Sequence, residues 1–303
     1  MKYDSLFALM EAYPDEGSCV HHLEQLRWPK GIICPCCGCS RKIYRITRGF
    51  TFKCSDCRNH FSVRKGTIFE ESRLPLRKWF AAAWLITSNR KGIASTQLAR
   101  EIGVTQKTAW FMLGRLREVA GAMGDFGGPL DGTVEADETY IGGKEKNKHA
   151  SKRQNAGRGT VGKVAVLGAT ERAGRVKAAL IDGTSRAEIH KFITETLNPG
   201  SNLYTDDHSG YVGLNNYKHA SVNHSAKQYV DGDVYTNSIE SFWALLKRGH
   251  YGIFHQMSEK HLHRYLAEFA VRWDMGALTG AQRLDTMLES APGLRLTYAR
   301  LIA

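Results

Sequence analysis

All seven cysteines of this 303-residue chain fall before residue 58, and four of them are spaced as Cys34-x2-Cys37, sixteen residues, then Cys54-x2-Cys57. Two tight knuckles that each offer two thiolates suit one tetrahedral Zn²⁺ ion. Between the pairs, Ile43-Tyr44-Arg45-Ile46 and Phe50-Thr51-Phe52-Lys53 alternate around Arg48-Gly49 and read as a hairpin. His60-Phe61-Ser62-Val63 supplies a third strand, so the expectation is a zinc ribbon. Cys36 and Cys39 form a rival CxxC in the same loop, which the sequence does not exclude; Pro35 and Gly38 fit a knuckle turn and favour Cys34 and Cys37. A disulfide module is a poor account, because the rest of the chain has no cysteine and the start, Met1-Lys2-Tyr3-Asp4-Ser5, does not read as a signal peptide. Four cysteines close the coordination shell, so this single zinc is expected to be structural.

The ribbon lies in a basic setting. The net charge is +12. Residues 1–125 hold 20 Lys/Arg and 11 Asp/Glu, net +9, whereas residues 126–303 hold 22 and 19, net +3. Between residues 41 and 65 stand Arg41, Lys42, Arg45, Arg48, Lys53, Arg58, Arg64 and Lys65 against one acid, Asp56. That density points to a polyanion, with Arg45, Arg48 and Lys53 as candidate phosphate contacts; a solvated charged face is the plainer alternative. No stretch is long and apolar enough for a membrane span, and the chain is read as intracellular, with no membrane partner.

From Leu76 the pattern turns helical, with Trp79, Phe80, Ala83, Trp84 and Ile86 on one stripe. A second helix, Ser95 to Ile102, stops at Gly103, and Thr105 then caps a third that opens with Gln106 and Lys107. A short helix, a glycine turn and a capped helix make a helix-turn-helix, whose contacts to double-stranded DNA would be Gln106, Lys107 and Arg115. An ordinary helical hairpin is the alternative. The division expected is 1–75 for the N-terminal segment and zinc ribbon, 76–120 for the helix-turn-helix, 121–132 for a glycine-rich linker, 133–275 for a second domain, and 276–303 for a tail.

That second domain reads as strands at Thr133–Asp137, Lys163–Ala169 and Val176–Ile181, and a helix from Ser185 to Leu197. Strands at Asn202–Asp206 and His219–Val222 follow, with a helix at Ser238–Lys247. The order describes an α/β (α+β) domain in which helices cover a mixed sheet, as in the ribonuclease H-like fold. Asp137 and Asp206 fall at strand ends, and Glu240 lies on the last helix. Three converging carboxylates can hold two Mg²⁺ (or Mn²⁺) ions about 3.5–4 Å apart. Asp207 adjoins Asp206 and is the rival ligand, but neighbours on a strand point oppositely. Glu135 and Glu138 are expected to be salt-bridged at the surface. The loop from Gly142 to Gly162, with Lys144, Lys146, Lys148, Lys152, Arg153 and Arg158, is too polar to pack and suits DNA.

The blocks Asp137-Glu138-Thr139-Tyr140-Ile141-Gly142-Gly143-Lys144, Tyr204-Thr205-Asp206, Val222-Asn223-His224, Thr236 to Arg248 and His261 to Phe269 resemble those of bacterial insertion-sequence DDE transposases with an N-terminal zinc ribbon. The resemblance covers roughly residues 15–275. It implies that Asp137, Asp206 and Glu240 are the metal-binding triad, and that Lys247 completes a Glu-x6-Lys pair. Seven residues are close to two helical turns, so the two side chains share a face. Some relatives use Asn as third member, and Asn237 sits one turn before Glu240. Arg248 joins the DNA-facing set. The implied activity is recognition of terminal inverted repeats, metal-dependent release of a 3′-hydroxyl, and its attack on target DNA by a homo-oligomer. A nuclease without strand transfer and an inactive DNA-binding regulator are the competing readings.

Overall fold

The structure, a computed structural model, describes residues 3–46, 50–143, 149, 151, 160–172, 174–223, 228 and 230–303, the side chains of residues 125 and 126 excepted. Arg48, Lys144, Lys146, Lys148, Lys152, Arg153, Arg158 and His224 lie outside the described residues. The chain forms two compact units, Met1–Ala122 with Ala277–Ala303, and Met123–Gly276.

The first unit begins with α1 (Leu6–Ala12) and α2 (Glu16–Arg27). Ser5 caps the first, and the Asp15 carboxylate caps the second by accepting from the Ser18 amide at 2.7 Å. Strands β1 (Ile43–Ile46), β2 (Thr51–Cys54) and β3 (His60–Ser62) form an antiparallel sheet in that order, with Ile43 opposite Cys54 and Phe52 opposite Phe61. Trp28, just after α2, packs edge-on against Phe52 and Phe61 with ring centroids 5.7 and 6.0 Å away, which gives the small sheet its apolar support.

Helices α3 (Leu76–Ser88), α4 (Ser95–Ile102) and α5 (Gln106–Phe126) follow. Helix α3 starts after Pro75 and buries Trp79, Phe80, Ala83 and Ile86. Helix α4 ends at Gly103, whose φ of 63° is the left-handed conformation that glycine tolerates. Thr105 accepts from the Thr108 amide at 3.2 Å, the expected cap of α5.

Two boundaries differ from the sequence expectation. The glycines at 121 and 124 do not open a linker, because α5 continues through them to Phe126. Residues 276–303 are not a tail: α9 (Gly280–Glu289) buries Leu284, Met287 and Leu288, packs on α3, and has a Thr279/Gln282 capping box, while α10 (Tyr298–Ile302) packs on α5. There Leu301 comes within 2.9 Å of where a Cβ on Gly114 would stand.

The second unit is built on β4 (Thr133–Ile141), β5 (Val164–Glu171), β6 (Val176–Ile181), β7 (Asn202–Asp206) and β8 (Lys218–Val222), in the spatial order β6-β5-β4-β7-β8. The first three pair antiparallel, and β4-β7-β8 run parallel. The connection from β6 to β7 carries α6 (Arg186–Thr196), capped by Ser185 as expected. Helices α7 (Asn237–Gly249) and α8 (Glu259–Asp274) complete the unit, with a π-helical turn, His250–Phe254, after α7. Each face of the sheet has its own core. Val134, Ala136 and Leu203 pack with Ile189, Phe192 and Ile193 of α6. On the other face, Val166 and Ile141 pack with Ile239, Phe242 and Trp243 of α7 and with Leu262, Leu266 and Phe269 of α8.

Candidate functional site

The four cysteines expected to hold zinc come together. The Sγ atoms of Cys34, Cys37, Cys54 and Cys57 all lie within 4.8 Å of one another, with Cys34 to Cys57 at 3.7 Å and Cys37 to Cys54 at 3.6 Å. A tetrahedron with Zn–S bonds of about 2.3 Å has edges of about 3.8 Å, so the donor set fits a structural zinc ion. The backbone explains the choice between the rival pairs. The Gly38 amide bonds back to the Cys34 carbonyl at 2.9 Å with Gly38 at φ 75°, and this turn brings Cys37 into the four-sulfur group, to which Cys36 and Cys39 do not belong.

The basic residues proposed for DNA divide. Lys53, Gln106, Lys107 and Arg248 are exposed. Gln106 donates to the Ser95 hydroxyl at 2.9 Å, and the Lys107 ammonium lies 4.8 Å from the Tyr298 ring centroid. Arg45 is exposed in part but forms a forked ion pair with Glu24, at 2.6 and 3.3 Å, over the Phe52 ring. Arg115 is a correction: it is 6% exposed, and its guanidinium donates to the carbonyls of Leu296, Ile68 and Glu70 at 3.0, 2.6 and 3.0 Å. Position 115 lies on the face of α5 that the rest of the unit covers, so this arginine ties loops to the helix and does not reach a phosphate.

The carboxylates are placed by the sheet. Side chains alternate along a strand. Val134 and Ala136 point toward α6, so Glu135 and Asp137 point toward α7. Asp137 is the fifth residue of a nine-residue strand and not at its end, as β4 runs on to Ile141. In the parallel pairing of β4 with β7, Glu135 lies beside Tyr204. The same register two residues further sets Asp137 level with Asp206, on strands about 4.8 Å apart. Asp206 is the last residue of β7, as expected, and Asp207 beyond it is exposed.

Glu240, in the first turn of α7, accepts from the Thr236 hydroxyl at 3.1 Å. Helix α7 approaches closely because Gly168, which pairs with Asp137 across β4 and β5, has no side chain. Trp243 and Ile239 lie 2.6 and 3.1 Å from where a Cβ would be. Lys247, two turns beyond Glu240, is half-buried, and Asn237 at the helix start is exposed.

Burial, and then the charges of Glu138, Asp206 and Glu240, push the Asp137 carboxyl up to about 7. The charges of Asp206 and Glu240 therefore reach Asp137 and disfavour its ionised form. Glu138 points to the opposite face and accepts from the Tyr211 hydroxyl at 3.0 Å. Burial and the Asp206 charge raise the Glu138 carboxyl, and burial with Glu138 beside it raises the Tyr211 phenol well above its usual range. A hard divalent cation would offset the like charges that act on Asp137, although among the described residues only the four cysteines already stand close enough together to hold a metal.

Glu135 and Glu138 are not the surface residues expected. Glu135 is fully buried, and Arg172 pairs with it at 3.2 Å. The period-two relation of Glu135 to Asp137, and the place of Glu138 on the other face, were available in the sequence. What buried Glu135 was the helix layer packed over that face.

The mixed sheet with acids on two adjacent strands and a facing helix, behind a four-cysteine ribbon, defines an α/β domain preceded by a zinc-binding module. Residues 129–274 match the family described as the ISXO2-like transposase domain, and residues 14–60 match the transposase zinc-ribbon domain. A Halobacterium salinarum protein, described as an uncharacterized protein in transposable element ISH50, is 29% identical over 301 residues, covering 93% of this chain and 99% of that protein. The chain belongs to the insertion-sequence transposases with an N-terminal zinc ribbon. Among the described residues, no helix is long and apolar enough to cross a membrane.

Proposed function

We propose that the protein binds the terminal inverted repeats of its element and catalyses metal-dependent 3′-end cleavage and strand transfer, with Asp137, Asp206 and Glu240 as the metal-holding triad of a ribonuclease H-like domain. The observation that carries the reading is that the charges of both Asp206 and Glu240 act on Asp137, with the β4–β7 register, continued two residues past the Glu135–Tyr204 pair, bringing Asp206 beside Asp137. Bound there, two Mg²⁺ (or Mn²⁺) ions would activate the attacking oxygen and stabilise the leaving oxygen of an in-line displacement. The chain's own residues do the rest. Asp137 and Asp206, fixed by the sheet, orient the site, and Glu240 closes it from α7. Lys247, two turns along the same helix, is placed for a phosphate of the DNA strand, and Asn237 for the strand near the scissile bond. Cleavage and joining share the site, and neither needs a covalent enzyme intermediate.

Recognition of the ends is assigned to the first unit, through Lys53 of the ribbon and Gln106 and Lys107 at the start of α5, the recognition helix of a helix-turn-helix. The basic residues Lys144, Lys148, Lys152 and Arg153, with Arg48 and Arg248, add non-specific phosphate contacts, and two copies of the chain engage the two ends.

The test is incubation of the protein with labelled end DNA, a target plasmid and Mg²⁺. Joined products are expected. Nicked ends without joining would leave a nuclease, and bound but uncut ends a regulator.

A further inference from the structure

Glu135 does not belong to the proposed triad, yet from β4, which carries Asp137, it bonds to α7, which carries Glu240. From β4 its carboxylate accepts from the backbone amides of Ser238 and Ile239 at 2.7 and 3.2 Å and from the Ser238 hydroxyl at 3.1 Å, all in the first turn of α7. Thr236, at the N-cap position, makes no side-chain cap bond of its own. The free amides at the start of the helix are thus satisfied by a strand two residues before Asp137, and the residue after Ile239 is Glu240.

Arg172 completes the arrangement. Its Nε donates to Glu135 at 3.2 Å, and another guanidinium nitrogen donates to the Asp233 carbonyl at 2.5 Å. The same group lies 3.6 Å from the Tyr235 ring centroid and 4.9 Å from that of Tyr204. One buried carboxylate and one guanidinium therefore join β4, β7 and the segment leading into α7. A buried carboxylate is tolerated only when its acceptor capacity is filled, and here four donors fill it.

We propose that Glu135, with Arg172, is a positioning residue that sets the first turn of α7 on β4, and so places Glu240 against Asp137 and Asp206 for metal binding and DNA strand transfer. The proposal rests on the triad reading given above. Without the carboxylate the first-turn amides turn to water, and the helix start is free to shift while the Trp243 and Ile239 packing still holds the rest of α7.

The experiment compares wild type with Glu135→Gln, which keeps the shape but removes the charge and turns an amide N–H group toward the α7 donors. Fe²⁺ with ascorbate replaces the metal, so that hydroxyl radicals cut the backbone beside the bound ion. The half-saturating Mn²⁺ concentration for strand joining, end-DNA affinity and melting temperature are measured in parallel. Wild type should be cut near residues 137, 206 and 240. Glu135→Gln should keep the cuts near 137 and 206 and lose the one near 240. Its half-saturating Mn²⁺ should rise about tenfold or more, in the range seen when groups that orient metal ligands are removed, with end affinity unchanged. Ser238→Ala, which removes one of the four donors and leaves the backbone intact, should shift the same concentration in the same direction by less. It decides the matter if Glu135→Gln does not fold. Unaltered cuts and half-saturation in the variants would overturn the positioning role. A wild type uncut at all three positions would overturn the triad reading itself.

Discussion

Replacing Gly168 with alanine adds one carbon at the point where α7 meets the sheet. The new Cβ would stand 2.6 Å from two atoms of the Trp243 indole and 3.1 Å from Ile239, where carbon contacts settle near 3.5–4.0 Å. Something must move by about 1 Å. Backbone Gly168 is held by its pairing with both Asp137 and Ala178, so the displacement falls on α7. Overpacking of this size costs about 1–3 kcal/mol, and alanine returns about 0.5–1 kcal/mol by restricting the unfolded chain. The net loss of at most about 2.5 kcal/mol corresponds to a melting temperature lower by no more than about 10 °C. If Glu240 belongs to the triad as proposed, catalysis is far more sensitive, since a 1 Å misplacement of a reacting-site group costs about 100-fold in rate. Single-turnover joining of labelled ends with Mg²⁺, measured beside the melting curve, separates the two effects. Trp243→Phe removes the outer ring that contains both close atoms, so the double variant should recover most of the rate. Wild-type joining by Gly168→Ala would refute the claim that close approach of α7 sets the site. A fall in melting temperature far beyond this range would show that the glycine serves folding instead.

Cys54→Ser should lose the one zinc per chain and unfold the ribbon, because metal binding supplies most of the folding free energy of such modules; zinc retained at full stoichiometry would refute the ligand set. Binding of the whole protein to end DNA should fall with log salt at a slope near −5 if about six phosphates are neutralised, and a slope shallower than −2 would remove the backbone contacts from the account. Asp274, pushed up to about 6 mainly by burial, accepts from the Val176 amide at 2.9 Å. Its folded value exceeds its unfolded one, so its contribution is fully present below about pH 4 and is lost as the pH rises through about 6. Asp274→Asn should therefore gain up to about 3 kcal/mol at pH 8 and nothing at pH 3.5, and a gain independent of pH would contradict the cause. Replacing Asp137, Asp206 or Glu240 with its amide should lower cleavage and joining together by orders of magnitude with end binding intact. Chemistry lost in Asp207→Asn but kept in Asp206→Asn, or lost in Asn237→Ala but kept in Glu240→Gln, would move the triad.

How much of this was legible in the sequence depended on whether a residue's role was local. Cysteine spacing specifies a knuckle directly, and alternation along β1 and β2 specifies the hairpin between the pairs, so the ribbon could be read almost whole. The caps Ser185 and Thr105 and the stop at Gly103 are also local devices, and the structure has each of them. The glycines at 121 and 124 misled because nothing in a short window says whether a helix has enough packing on either side to carry them. At 276–303 the local signals were present, with Leu284, Met287 and Leu288 at helical spacing behind the Thr279 cap, and they could have identified α9.

The long-range network was a different matter. Arg115 looks like a groove contact on a basic helix, and only the arrival of the 68–70 loop and of Leu296 turns it into a buried bridge. Glu135 stands two residues before Asp137 and Glu138 one residue after it. Alternation sends one toward α7 and the other toward Tyr211, and the fold fills each with different donors. Gly168 was an ordinary strand residue until its register partner proved to be Asp137. The acids of the proposed triad were visible one by one because chemistry limits the residue types that can hold a divalent cation. The residues that aim them were not visible, because aiming is a property of which strand lies beside which. That is why the proposed triad could be named from motifs, whereas the carboxylate and glycine that set α7 upon it emerged only from the pairing of β4 with its neighbours.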